Sequence, residues 1–501
     1  MTLSRGLDLA LPGRRQSWRA AALASAITWG LIALVRPELL TLGAVDFQQD
    51  HALLSIDIAI SRAYCDSPSK ISTLIRVPYE ARDHAALRSS SVRSVLLDRG
   101  ATMDRFCRSV GSPIINNENA LMWIESMMFR LAPDLSLDRL AIWLHRLHLA
   151  GIAVLGLVSM RLGAGMVVPM STVFVALVVL DRLDALAITA YPLDFVWLLV
   201  NASMSALIAS GGPSRRGRLV VVVALMVGAF AGFGGNLRTS HWPIYAALPV
   251  LSMAWAERQT APVRVLVPRL TAVLVAFVLG YSGFQQFAIT RHLPGGMAES
   301  AHHTTWHSTV IGLAIPANEL SRREGIEWSD DSALRLARRI DPGVQYISTD
   351  YERVLKGYYF DLWRRDRSAM VAVYLLKLRT AGSQMVDVLR GSSGADAGWM
   401  WWTLRPADAL PNGLFVLATY ILIAVAGAVV ARSGRASGWL LLSLSATAVV
   451  VHLESVAITT LYVAHYHAYL AFSILSASLA APVVALAAVR RVMADGRMSM
   501  P

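Results

Sequence analysis

Ten apolar stretches divide the chain, at about 20–43, 143–161, 164–181, 190–210, 218–235, 241–257, 266–287, 411–431, 437–453 and 461–489. Each approaches the roughly 20 residues that a helix needs to cross about 30 Å of hydrocarbon. Two long polar stretches, about 44–142 and 288–410, interrupt them. The pattern predicts an all-α polytopic membrane protein of about ten transmembrane helices. It divides into an N-terminal transmembrane module over 1–287 that carries the first long loop, a helical region over 288–410, and C-terminal transmembrane helices over 411–501.

The polar stretches carry their own helical signals. Leu53, Leu54, Ile56, Ile58 and Ile60 suit an amphipathic segment at the interface. Between Asn116 and Leu131, residues Leu121, Ile124, Met128 and Leu131 recur at helical spacing, which predicts a helix lying on the bilayer. In the second stretch Ser329 precedes Asp330 and Asp331, Arg338 and Arg339 follow two turns later, and Asp341-Pro342-Gly343 closes the segment. Acids in the first turn and arginines in the last complement the helix dipole, so a helix is expected there and its two acids are read as dipole residues. A second helix is expected from near Asp350 through Leu378, with Trp399, Trp401 and Trp402 marking the membrane surface before the next span.

Charge orients this pattern. Arginines gather in alternate connections: Arg5, Arg14, Arg15 and Arg19; Arg161; Arg215, Arg216 and Arg218; Arg258 and Arg264; Arg432 and Arg435; Arg490, Arg491 and Arg497. The positive-inside rule makes those connections cytoplasmic, so both termini are expected inside and both long polar stretches outside the cytoplasmic (inner) membrane. A hydrophobic share of 55%, a charged share of 16% and a mean hydropathy of +0.48 agree with a multi-pass protein. The net charge of +12 would suggest nucleic acid if it were clustered, but it is spread between apolar runs, and no nucleic-acid partner is expected. The first apolar run follows Arg14, Arg15 and Arg19 and reads as an uncleaved span, although Arg36 and Glu38 interrupt it.

The two cysteines, Cys65 and Cys107, both fall in the first long polar stretch. Oxidation outside the cytoplasm would close a loop of about 40 residues and stabilise it by roughly 3 to 4 kcal/mol. Asp46 and Asp50 stand in GAVDFQQDH directly after the first span. Four residues apart, they would share one face if the segment is helical, where mutual repulsion would raise one of the two pKa values.

In this arrangement the chain resembles the GT-C superfamily of membrane glycosyltransferases. The shared features are an inside N-terminus, the acidic motif Asp46…Asp50 after the first span, a long first outer loop with interface helices, paired spans and a later outer region. The resemblance implies transfer of a sugar from a polyprenyl-phosphate donor to an extracytoplasmic glycan, lipid or protein acceptor, a step of cell-envelope glycan biosynthesis. It makes one of Asp46 and Asp50 the catalytic base that takes the acceptor's hydroxyl proton, while the other orients the acceptor or holds a divalent metal such as Mg or Mn.

Arg238, in GFGGNLRTSHW, and Lys377, where the last outer helix meets the membrane, are candidates for the leaving phosphate. The three lysines, Lys70, Lys356 and Lys377, all fall in the outer stretches, and a compact ammonium suits phosphate; Lys377 also suits an interface anchor. Trp306 offers a stacking surface for a sugar ring or an interfacial anchor. His303 and His307 lie one turn apart, a spacing that could bind metal, but they lack the acid of a recognisable zinc motif and are kept as candidate substrate contacts. Asp181 and Asp184, after the third span, are further candidates for substrate or metal, and His465 and His467, beside His452 and Glu454 at the last outer connection, suit either a substrate pocket or a belt at the headgroup level. Two alternatives stand beside the glycosyltransferase: a polymerase or ligase of lipid-linked polysaccharide, resting on arginine and histidine more than on Asp46 and Asp50, and a transporter or flippase of lipid-linked sugars, which would require ionisable groups inside the spans.

Overall fold

The computed structural model describes residues 17–45, 56, 59–60, 63–64, 86–98, 119–162, 167–183, 187–211, 217–237, 241–259, 263–286, 305–346, 348–391, 413–432 and 436–457. These residues form helices and turns, with no strand among them. The helices of the first part are α1 Trp18–Val35, α2 Val92–Asp98, α3 Asn119–Leu131, α4 Leu137–Leu162, α5 Val167–Leu183, α6 Ala190–Gly211, α7 Gly217–Gly234, α8 Trp242–Arg258 and α9 Val263–Phe284. The second part contains α10 Thr305–Ile311, α11 Glu319–Glu324, α12 Asp330–Ile340, α13 Thr349–Arg365 and α14 Arg367–Gly391, followed by α15 Gly413–Arg432 and α16 Ala436–Ala457. Nine of the apolar stretches are thus helical, and the tenth, about 461–489, lies outside the described residues.

Among the described residues, four segments are long and apolar enough to cross a membrane: α1, α4, α6 and Val265–Phe284 within α9. Shorter apolar helices occupy Thr172–Asp181, Val220–Gly234, Tyr420–Arg432 and Gly438–Glu454. Local chemistry sets the ends of α1. The Ser17 hydroxyl accepts the Ala20 N–H at 3.2 Å, and Pro37, which has no N–H to continue the ladder, follows the last turn.

Small residues let the bundle close where lipid supplies no hydrophobic drive between helices. Gly228 and Gly232 of α7 meet the backbone of α9 at Phe277 and Tyr281, and Gly280 of α9 meets Leu225. A Cβ on Gly228 would lie 2.1 Å from the Phe277 carbonyl oxygen, so even alanine forces the two helices apart. Gly228→Leu is therefore expected to lower stability by about 1 to 3 kcal/mol through overpacking, read from thermal unfolding in detergent; an unchanged midpoint would show that α7 and α9 do not touch there. Gly427 and Gly438 close the α15–α16 hairpin by the same means.

α6 lies at the centre, packed on α4, α8 and α16. Leu198, Ala202 and Ala206 of α6 belong to the largest apolar core with Ile152 and Leu155 of α4 and Leu440 and Leu444 of α16. The last turns of α4, α8 and α15 carry Arg161, Arg258 and Arg432. The N-termini of α6 and α8 and the C-terminus of α16 meet at the opposite end of the bundle, where the polar chemistry is found.

Two local expectations change. The segment Asn116–Leu131 is read from sequence as a helix lying on the bilayer, but α3 is docked on the end of the bundle: Leu121, Glu125 and Phe129 are buried, and the Ala120 N–H donates to the Asn236 carbonyl at 3.0 Å. The helix expected from Asp350 to Leu378 breaks at Asp366. Its Oδ1 accepts the Ala369 N–H at 3.0 Å and the Ser368 hydroxyl at 3.0 Å, and its Oδ2 accepts from Arg323 at 2.8 Å, so the carboxylate caps a new helix, α14. The Ala369 N–H, then Arg323 and Ser368, hold this carboxyl below its ordinary value. The cap is therefore complete at neutral pH and is lost as pH falls through that lowered value.

Candidate functional site

A polar group is buried at the end of the bundle away from Arg161, Arg258 and Arg432. Asp194 lies in the opening turns of α6, His241 caps α8, and Tyr245 sits one turn further along α8, on the same face as His241. Asp194 Oδ2 is 2.7 Å from His241 Nδ1, and the Tyr245 hydroxyl donates to Asp194 Oδ1 at 2.7 Å. The side chains of Asp194 and His241 are both fully buried. With Nδ1 facing Asp194, Nε2 of the same ring points toward Glu454 of α16, 3.7 Å from Oε2. Glu454 is the member that reaches the surface, its side chain 13% exposed.

Aromatic packing fixes the start of α6 against the end of α7. Trp197 stacks on Phe230 at 4.3 Å and donates its Nε1–H to the Phe230 carbonyl at 3.2 Å, while Phe233 closes on Trp197 at 4.5 Å. Phe233, Leu193 and Leu237 belong to an apolar cluster against which Leu42 and Val45 pack. Val45 immediately precedes Asp46, Leu193 precedes Asp194, and Leu237 precedes Arg238. The chain leaving α1 therefore reaches the end of the bundle that holds Asp194 and His241.

α14 meets the same end. The Tyr374 hydroxyl pairs with that of Tyr359 at 2.7 Å and donates to the carbonyl of Ala457, the last residue of α16, at 3.4 Å. One turn further along α14, Lys377 is fully buried with its Nζ 5.3 Å from the Tyr374 ring centre. Burial pushes its pKa down from 10.5 to about 7. The folded state then binds fewer protons than the unfolded state between about pH 7 and 10.5, so stability rises with pH across that window and the penalty is complete below it. Unfolding midpoints at pH 6.5 and 9.5 are expected to differ in this sense, and the difference should shrink in Lys377→Met. An equal rise in that variant would assign the effect to another group.

The other expected site residues distribute as follows. Asp181 stands, half-buried, in the last turn of α5, which leads into α6. Trp306 is packed between Tyr359 and Phe360 at 5.5 and 5.3 Å, with Lys356 Nζ 5.7 Å from its ring. His307 is buried in a knot that ties α10 to α12 and α13: Nδ1 lies 2.6 Å from the Tyr351 hydroxyl, Nε2 lies 3.1 Å from Asp330, and Glu352 accepts the backbone N–H groups of Trp306 and His307 at 3.1 Å each. Burial above all, with the nearby acids, raises the Tyr351 phenol well above its ordinary value. Tyr351 therefore donates to Nδ1, and Nε2–H donates to Asp330. Asp46, Asp50, Arg238, His303, Asp184, His465, His467, Cys65 and Cys107 lie outside the described residues.

The apolar runs hold buried ionisable residues that averaged hydropathy passes over: Asp194 in α6, His145 and His148 in α4 and Glu257 in α8, with Glu125 buried in the docked α3. The signal was an aspartate within an apolar run, four residues after its start, which is costly without a partner. Among the described residues, no group of three or more His, Cys, Asp or Glu side chains is placed to hold a metal.

The helices and this buried polar end define a multi-pass, all-helical membrane protein. Comparison with protein-family models, characterised proteins and solved structures gives no match.

Proposed function

We propose that the chain is a membrane glycosyltransferase of about ten spans with both termini in the cytoplasm. It moves a sugar from a polyprenyl-phosphate donor to an acceptor at the extracytoplasmic face. The observation that carries this reading is the gathering of polar chemistry at one end of the bundle. The chain leading to Asp46, the Asp194–His241–Tyr245 group, Glu454 and the docked α14 with Lys377 all meet there, opposite the arginine-bearing turns. A lipid-borne sugar phosphate presents its polar head at that depth while its polyprenyl chain remains among the spans. The step joins the acceptor oxygen to the anomeric carbon and breaks the bond to the phosphate oxygen, whose electron pair leaves with polyprenyl phosphate. Asp46 or Asp50 receives the hydroxyl proton, and cationic groups such as Lys377 and Arg238 neutralise the leaving phosphate.

The buried Asp194–His241 pair favours a second reading, a carrier of lipid-linked sugars, because ionisable groups inside spans mark transport paths. Its depth argues against that reading. Asp194 is four residues into α6, about 6 Å along the axis at 1.5 Å per residue, whereas carrier sites sit near the midplane.

Proteoliposomes supplied with polyprenyl-phosphate sugar and crude envelope glycan separate the two. Release of free polyprenyl phosphate with labelled glycan is the expected result. Movement of intact lipid between leaflets, with no polyprenyl phosphate formed, would overturn the proposal in favour of the carrier.

A further inference from the structure

We propose that Glu454 is a sugar-binding carboxylate of this site and that His241, clamped by Asp194 and Tyr245, is the residue that positions it. The inference rests on the transferase reading but adds a contact that neither the acidic motif nor the resemblance supplies.

The network is closed at one end and open at the other. Asp194 and His241 have no exposed side-chain surface, and Asp194 is gripped at both oxygens, by His241 Nδ1 and by the Tyr245 hydroxyl, each at 2.7 Å. His241 cannot turn without breaking that grip, so its Nε2 is fixed toward Glu454 Oε2 at 3.7 Å. Glu454 alone of the group retains access to the surface. It stands three residues before Ala457, whose carbonyl accepts from Tyr374 of α14, so it lies within a turn of the junction between the bundle and the second polar region. His241 Nε2 and Glu454 Oε2 stand 3.7 Å apart, beyond hydrogen-bond reach, so a ring protonated at both nitrogens would orient the carboxylate by charge and leave its oxygens to accept hydrogen bonds.

The chemistry of the ligand follows. Vicinal sugar hydroxyls offer paired O–H donors that match the two carboxylate oxygens, and such charge-assisted bonds are strong where water is scarce. A phosphate would be repelled by Glu454. A metal ion would need further ligands that the described residues do not provide. The division of labour is therefore spatial: cationic groups take the phosphate, and Glu454 takes the sugar ring.

The test uses the full chain in nanodiscs and two sets of probes: synthetic short-chain polyprenyl phosphate, and the same lipid bearing glucose, galactose, mannose or arabinose. Glu454→Ala is expected to weaken binding of the preferred sugar-bearing lipid by about 10-fold or more, the worth of a lost charge-assisted bond, and to leave the sugarless lipid within about 2-fold. His241→Gln, which keeps Glu454 but frees it, should give the same selective loss at about 3- to 10-fold. Glu454→Gln preserves shape should the alanine variant fail to fold, and is expected to fall between wild type and alanine. If wild type binds no sugar-bearing lipid better than the sugarless one, the transferase reading itself fails. If wild type does discriminate but the Glu454 variants weaken both lipids alike, or neither, the assignment of Glu454 fails and the transferase reading stands.

Discussion

Asp194→Leu is expected to lower the unfolding free energy by about 2 to 6 kcal/mol, about 1 to 3 kcal/mol for each of the two buried groups that lose their 2.7 Å contact with it. The leucine fills the space but takes away the 2.7 Å acceptors of both His241 Nδ1 and the Tyr245 hydroxyl, in a region where neither side chain can reach water. Asp194→Asn should cost less, about 1 to 3 kcal/mol, because the amide oxygen still accepts from Tyr245 while its NH₂ group forces the imidazole into the other tautomer. Coupling between Asp194→Asn and Tyr245→Phe in a double-mutant cycle should reach about 0.5 to 3 kcal/mol. Chemical unfolding in detergent supplies these numbers; a leucine variant as stable as wild type would show that the group is not buried as described. The triple variant Asp194→Leu, His241→Leu, Tyr245→Phe is the informative companion. Apolar replacement of a whole buried polar set is often neutral or stabilising. Recovery of stability together with loss of sugar binding would show that the group serves the site and not the fold.

The helices were legible because their signals are local. Apolar runs of span length reappear as α4, α6 and α9, and the Ser329 cap, Asp330, Asp331, Arg338, Arg339 and the Asp341 stop define α12 within the limits that the sequence predicts. The α13–α14 break was hidden because Asp366 resembles any exposed helical acid until Arg323, 43 residues earlier, is brought beside it. The site was less legible for the same reason. His241 and Glu454 lie 213 residues apart in sequence and meet only because α6 packs against both α8 and α16. Hydropathy averages over a window, so one aspartate in an apolar run disappears from it, although that residue carries more information about the site than its neighbours. His307 shows how much a local spacing leaves out. It was a candidate substrate contact, and its ring nitrogens face Tyr351 and Asp330 in a knot that holds three helices together.

Asp46→Asn and Asp50→Asn should separate the two acids of the first motif. Whichever is the base is expected to lose about 10²- to 10⁴-fold in kcat with KM for the lipid donor little changed, since proton removal counts in the transition state and not in donor binding. Its partner, acting on orientation, should lose about 10-fold and raise KM for the acceptor. Both substitutions preserve size, and neither residue belongs to the buried Asp194 group, so thermal stability is expected to change little. Rescue of the corresponding alanine variant by added formate would identify the base directly, because a small carboxylate can occupy the space and take the same proton. The geometry that permits this role is the packing of Val45 against the cluster that includes Leu193 and Leu237, which brings the chain to the threshold of the site one residue before Asp46. Should both asparagine variants retain more than about half of wild-type kcat, no base follows α1. Proton removal would then have to fall to Glu454, the surface-reaching carboxylate of the buried group, and its variants would be expected to lose kcat rather than donor affinity.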